Sequence, residues 1–216
     1  MINNLLILGD SYSTFYKNIP EGYSAYYFPY MVDEKYPVRM MRLEETWWRR
    51  FIERTDANLI RNDSWSGTTI CYTGYNNTDC SNTHSFIYRY RRLCNEGFFN
   101  ENKIDTVIVF GGTNDSWANA PLGEAKLSDF TEDELFSVFP AISYLMSKLK
   151  EDLPDARIIF IANCDIKPEI AEFMKSAAEH FEIDFVSLSG IDKLNGHPTP
   201  LGMEQICEQV LSVVGG

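Results

Sequence analysis

Five short apolar runs, separated by longer amphipathic or aromatic stretches, constrain this chain more than any other feature of it. They lie at residues 4–8, 58–61, 104–110, 157–162 and 183–188. The run at 104–110 is rich in Val and Ile and ends in Gly111-Gly112, while that at 58–61 is the weakest. A continuous apolar run of this length reads as a strand buried on both faces. The stretches between them carry helical periodicity. Residues 43–55 place Leu43, Trp47, Trp48 and Phe51 on one side. Residues 83–96 do so through Phe86, Ile87, Tyr90, Leu93 and Cys94, and Gly97 stops them. At 131–149, Thr131 and Glu134 have capping-box spacing, and Pro140 must kink or divide the helix. Residues 169–181 follow Pro168, and 200–213 follow a Thr199 cap. Strands separated by helices predict a parallel sheet with right-handed crossovers. The expectation is therefore an α/β chain: a three-layer α/β/α sandwich of about five parallel strands, folded as one domain over residues 1–216.

Charge narrows the partners. The formal net charge is −12, which opposes binding to nucleic acid phosphates or an anionic membrane surface. Arg89, Arg91 and Arg92 form the densest basic cluster and read as a solvated helix face. No apolar run is long enough to span a bilayer. The first eight residues lack a basic leader and run into Gly9-Asp10-Ser11, so they read as a core strand rather than a signal peptide. The five cysteines include no CxxC pair, which argues against a zinc ribbon or redox motif. Cys71 and Cys80 flank a loop and can pair in an oxidising compartment. The expectation is a reduced, cytoplasmic protein.

In parallel sheets ligands bind beyond the carboxyl ends of the strands, and the residues with chemistry cluster there. Gly9-Asp10-Ser11 follows the first strand, Ser64-Trp65-Ser66-Gly67 the second, and Gly112-Thr113-Asn114-Asp115 the strongest one. Gly196-His197-Pro198 precedes the last helix. Each block alone is what an ordinary turn also contains. Of the three histidines, His84 and His180 fall in helical patterns and read as surface or packing residues; only His197 lies in a loop at this end. A neutral imidazole can remove a serine proton near pH 7. Two long connections, 12–42 and 68–82, are aromatic rather than disorder-like. They fit equally a rim over the site or a satellite hydrophobic cluster.

Taken in order, Gly9-Asp10-Ser11, Gly67, Gly112-Thr113-Asn114-Asp115 and His197-Pro198 resemble the four blocks of the GDSL/SGNH hydrolase family, over residues 5 to about 205. The resemblance implies a flavodoxin-like α/β/α fold and an ester hydrolase that needs no cofactor and no metal. It implies Ser11 as nucleophile and His197 as general base. The backbone N–H groups of Ser11 and Gly67 and the side chain of Asn114 form its oxyanion hole, and Asp10 and Asp115 support the site through hydrogen bonds. The family usually places an Asp three residues before the His, where this chain has Leu194. Asp192 is the nearest carboxylate in sequence and the candidate for orienting His197; otherwise a backbone carbonyl holds the imidazole and the pair is a Ser–His dyad.

The expected partner is a small-molecule ester with a short acyl group, such as an acetylated carbohydrate stacked on the aromatic rim. One alternative is a phosphate- or nucleotide-binding domain using Ser11, Ser13 and Thr14 at a helix start, although no GxxxxGK[ST] loop is present. Another is a binding module of the same fold without the chemistry. A GxSxG elbow is absent, against a standard α/β-hydrolase.

Overall fold

The computed structural model describes residues 2–215; Met1 and Gly216, which belong to the expected 1–216 span, lie outside the described residues. The chain runs β1 (Asn4–Gly9), α1 (Trp47–Thr55), β2 (Asn58–Ser64), α2 (Phe86–Asn95), α3 (Phe98–Glu101), β3 (Thr106–Phe110), α4 (Thr113–Trp117), α5 (Val138–Asp152), β4 (Arg157–Ala162), α6 (Pro168–His180) and β5 (Asp184–Ser187). It closes with a hairpin of β6 (Lys193–Leu194) and β7 (His197–Pro198), then α7 (Pro200–Val214). The main sheet has the order β2-β1-β3-β4-β5, with every pair parallel.

Side-chain alternation divides the core between the two faces of this sheet. Leu6, Leu8, Val107, Val109 and Phe160 face a cluster that contains Phe86, Ile142 and Ile170 from the helices of one layer. Leu5, Ile7, Ile108, Phe110 and Ile161 face the other, against Trp47, Phe51 and Ile206. Buried on both faces, these strands have to be apolar throughout, which is the three-layer α/β/α arrangement.

Register positions the site. Gly9 pairs with Ser64 on one side and Phe110 on the other, so β1, β2 and β3 end level with one another. The chain leaves β1 for β2, then crosses to β3 on the opposite side. The crevice lies at that reversal. A Cβ on Gly9 would lie 2.4 Å from Ser64 Oγ and 2.6 Å from Ser13 Cβ. Only glycine allows the turn after β1 to fold back so closely on β2.

Several elements differ from expectation, each for a local reason. β2 extends to Ser64 through the buried polar Asn62 and Asp63, and its pairing slips by one residue opposite Leu5–Leu6. The helix expected at 43–55 is a 3-10 turn at Leu43–Glu45 followed by α1, because Thr46 caps a new start at Arg49 N. His84 lies outside α2, because Ser85 caps that helix through Tyr88 N at 3.1 Å. Only half of the Thr131–Glu134 capping box forms: Thr131 N donates to Glu134 Oε2 at 2.7 Å, but Glu134 N goes to the Thr131 carbonyl rather than to its hydroxyl, and the segment that follows is a 3-10 turn. Pro140 then lies in the first turn of α5, where its missing N–H costs nothing. All five cysteines are free, Cys71 and Cys80 included.

The largest departure is the basic cluster, which is not a solvated face. Arg91 is taken up by Glu132 and Tyr144, and Arg92 by Asp63, Glu96 and the Tyr23 hydroxyl. Arg89 is 0% exposed. Its Nε donates to His84 O at 3.2 Å, one Nη to the carbonyl and carboxylate of Asp63, and the other to Gly9 O at 3.1 Å and Thr68 Oγ1 at 3.2 Å. Removing one member of a buried ion pair strands the other. Arg89→Met is therefore expected to cost about 3–5 kcal/mol of stability, measured by urea unfolding; a loss below about 1 kcal/mol would show that Asp63 is adequately served by Arg61 and Arg92.

Candidate active site

Ser11 opens a 3-10 turn, Ser11–Ser13, immediately beyond β1. Asp10 caps it, with Oδ1 accepting from Tyr12 N at 3.0 Å. The turn is pinned from three further directions: Asn62 Nδ2 donates to Ser13 O at 2.9 Å, Trp47 Nε1 to Ser13 Oγ at 3.2 Å, and Thr14 Oγ1 accepts from Tyr26 N at 2.9 Å. A three-residue turn followed by extended backbone is not the helix start that a phosphate cradle requires.

His197 reaches Ser11 from the far end of the chain. β6 and β7 pair antiparallel, joined by Asn195-Gly196 with φ of +53° and +78°. Positive φ at both central residues makes the tight hairpin turn that Asn-Gly favours. It puts His197 Nε2 3.0 Å from Ser11 Oγ. Nδ1 faces the Asn195 carbonyl at 3.3 Å, and a carbonyl can only accept, so Nδ1 carries the proton and Nε2 presents its lone pair to Ser11 Oγ. The ring stacks on Tyr26 at 3.6 Å and 7°, with the Trp117 ring edge-on at 5.8 Å. Tyr27 OH donates to Pro198 O at 2.9 Å, and Tyr12 OH to Gly196 O. Burial pushes the imidazole down from 6.5 to about 4, the Asn195 carbonyl opposes this, and Lys193 and Arg39 add to it.

Asp192 is not at the imidazole. It is exposed at the base of the hairpin, where its carboxylate accepts from the Thr199 hydroxyl and its carbonyl from Thr199 N at 3.1 Å. The family's usual acid position, Leu194, lies directly across the hairpin from His197 and is 45% exposed.

The other block residues are joined by hydrogen bonds to Asp10 and to the segment after Gly67. Asn114 lies in the first turn of α4, where its Oδ1 accepts from Tyr75 OH at 2.9 Å. That bond commits the amide, leaving Nδ2 as the donor, 3.5 Å from Asp10 Oδ2. Asp115 accepts from Ile70 N at 2.9 Å and Cys71 N at 3.0 Å, tying α4 to the segment just after Gly67. Gly67 has φ +81°, and its N–H meets no protein acceptor among the described residues. Burial raises Asp10 to about 7 against the opposing Tyr12 N–H and the Thr113 hydroxyl, and raises Asp115 against the Ile70 and Cys71 N–H groups. Among the described residues no group of three or more His, Cys, Asp or Glu is placed to hold a metal, and no helix is long and apolar enough to cross a membrane.

The 12–42 connection is not a satellite cluster: part of it belongs to the main core, and part lies against His197. Tyr12, Phe15 and Tyr27 are buried in the core, whereas Tyr26 forms a wall of the site. Tyr26 and Tyr75 come from the two aromatic connections read as a rim, but their contacts to His197 and Asn114 could not be told from the sequence. The Asn195-Gly196 turn could have been read from its dipeptide.

A family model described as GDSL-like lipase/acylhydrolase matches residues 3–214. The fold superposes with a TM-score of 0.89 on a candidate GDSL-like lipase from Bacteroides ovatus, at 36% identity over 100% of this chain and 99% of that one. A candidate GDSL-like lipase from Bacteroides uniformis gives 0.89 at 40% identity, over 99% and 96%. A family two carbohydrate esterase from Clostridium thermocellum shares the fold at TM-score 0.65 and 15% identity, over 98% of this chain and 63% of that one. Among proteins of curated function, none matches.

His197 should therefore stay neutral far into acid. Histidine NMR titration of the folded protein is expected to give it a midpoint well below 6.5 and close to 4; a midpoint at or above 6.5 would contradict the burial seen here.

Proposed function

Because the chain belongs to the GDSL-like lipase/acylhydrolase family and is an ester hydrolase, we propose that it works through an acyl-enzyme on Ser11, with His197 as general base and no carboxylate behind it. The observation that carries this reading is the 3.0 Å approach of His197 Nε2 to Ser11 Oγ, the contact that activates a serine. Ser11 Oγ attacks the ester carbonyl as its proton passes to Nε2. The carbonyl oxygen takes the charge and meets the N–H groups of Ser11 and Gly67 and the Asn114 amide. Collapse of this intermediate expels the alcohol, which takes the proton from the imidazolium. Water then attacks the acyl group, giving its proton to Nε2, and the acid leaves as Ser11 recovers its proton. Asp10 and Asp115 hold the donors in place, since each spans two of the converging segments. One oxyanion donor of this kind contributes about 3–4 kcal/mol to the transition state.

The substrate we propose is a short-chain, preferably acetyl, ester of a small molecule such as a carbohydrate. The cavity beside His197 is about 310 Å³ and is walled by Tyr26, Tyr36 and Ser66 rather than by aliphatic side chains. Such walls suit a sugar ring. The fold it shares with carbohydrate esterases is compatible with that substrate.

A fluorophosphonate probe tests the nucleophile. Labelling is expected at Ser11 alone, absent in Ser11→Ala and slowed at least a hundredfold in His197→Ala; a folded, unlabelled protein would refute the reading. Acetyl esters should be cleaved faster than long-chain esters, and the reverse order would overturn the substrate assignment. Leu194→Asp supplies a carboxylate across the hairpin from the imidazole. It should move the acid limb of kcat/KM upward by about 1–3 pH units, and an unmoved limb would show that the hairpin does not bring position 194 to His197.

A further inference from the structure

Arg39 lies between the catalytic cavity and a larger one. The cavity of about 310 Å³ beside His197 and the neighbouring cavity of about 700 Å³ share three wall residues, Ser24, Ala25 and Arg39. The larger cavity does not touch His197; its walls include the rings of Tyr16, Tyr23 and Phe28. A molecule that spans both cavities lies against the Arg39 side chain, which walls each of them.

That guanidinium is held in place and underused. The backbone of Arg39 is fixed to Phe28, with Phe28 N donating to Arg39 O at 2.8 Å and Met41 N to Phe28 O at 2.9 Å. Nε donates to Tyr26 O at 3.1 Å, and the charged carbon lies 5.2 Å from the Tyr26 ring centre and 5.4 Å from that of Phe28. Among the described residues neither Nη has a protein acceptor, and no carboxylate lies within ion-pair distance. This contrasts with Arg89, whose donors are all engaged. In a chain of net charge −12, a fixed guanidinium without a counter-ion at the substrate path is a prepared anion anchor. Flat side chains alone would complete an aromatic wall; the two free Nη groups add a planar fork that fits a carboxylate. The charged residues that line the two cavities are Lys17, Glu21 and Arg39, a formal sum of one positive charge.

We infer that Arg39 selects substrates whose alcohol part carries a carboxylate, so that the enzyme removes acetyl groups from acidic sugars in preference to neutral ones. The inference rests on the esterase reading above and deepens it. The carboxylate binds the Nη pair, the sugar ring lies along Tyr36, and the remainder of the molecule extends towards Tyr16, Tyr23 and Phe28.

The test compares kcat/KM for a mono-acetylated hexuronic acid and the same acetyl ester of the corresponding hexose. Calorimetric titration of free hexuronate and free hexose into the intact protein runs in parallel. The native protein is expected to favour the uronate ester about tenfold at low ionic strength, with the preference fading as salt is added. Arg39→Gln should bring the ratio close to one and abolish hexuronate binding, while Arg39→Lys should keep part of both. Equal rates for the two esters in the native protein, or a preference that survives Arg39→Gln, would overturn the inference and leave the esterase reading intact. If neither ester is cleaved but hexuronate binds in an Arg39-dependent way, the anion site stands and the esterase reading falls. The salt dependence of the native enzyme decides the matter even if a variant fails to fold.

Discussion

The geometry of the site hangs on one buried charge. Arg89 has no exposure to solvent, so every one of its N–H directions needs a protein acceptor. The acceptors it finds are the end of β1 at Gly9, the carbonyl and carboxylate of Asp63 near the end of β2, Thr68 one residue beyond Gly67, and His84 before α2. Two strand ends and two loops are thereby held around one rigid plane. Such a pair contributes little net stability, since desolvation offsets the attraction. What it does fix is relative position. The Ser11 turn and the Gly67 amide come from segments far apart in sequence, and the oxyanion hole proposed for them tolerates only small errors between the two.

The same buried charge explains which parts of the fold could be read from the sequence. The strands at 104–110 and 157–162 were legible because burial on both faces leaves only apolar residues, and the structure places strands at Thr106–Phe110 and Arg157–Ala162. The second half of β2 was not legible. Asn62, Asp63 and Ser64 look like a turn by residue type, and they become strand only because Arg89, Ser13 and one another satisfy their polar groups. Arg89 itself sits beside Arg91 and Arg92, and nothing in local sequence separates a buried arginine from its surface neighbours. The four blocks stood out because each follows an apolar run or precedes the last helix, and the sheet order β2-β1-β3 sets the Ser11 block between the Gly67 and Asn114 blocks. The partners that orient them, Tyr26 on His197 and Tyr75 on Asn114, come from irregular connections without periodicity, where tertiary contact alone decides.

His197 illustrates how a local turn can replace a missing carboxylate. Asn195-Gly196 forces a tight hairpin, and the geometry of that hairpin aims the Asn195 carbonyl at Nδ1. A carbonyl fixes the tautomer as well as a carboxylate does, but it brings no full negative charge to stabilise the imidazolium. Burial disfavours the charged ring further, which is why His197 is held near 4. In the mechanism proposed here the base is thus always available at neutral pH, yet reluctant to keep the proton it takes. That reluctance favours the second half of each step, the return of the proton to the leaving alcohol.

The charge that does appear on the imidazole faces the Tyr26 ring at 3.6 Å. An aromatic face attracts a cation, more strongly where water is excluded. The stacked tyrosine therefore supplies, at the moment of proton transfer, part of what a carboxylate would otherwise supply throughout. The same ring carries the Arg39 guanidinium at 5.2 Å. With a cation already nearby, the positive imidazolium is opposed until a negative group neutralises Arg39. A substrate carboxylate bound there would remove that opposition, so binding at Arg39 and basicity at His197 are linked through a single aromatic ring.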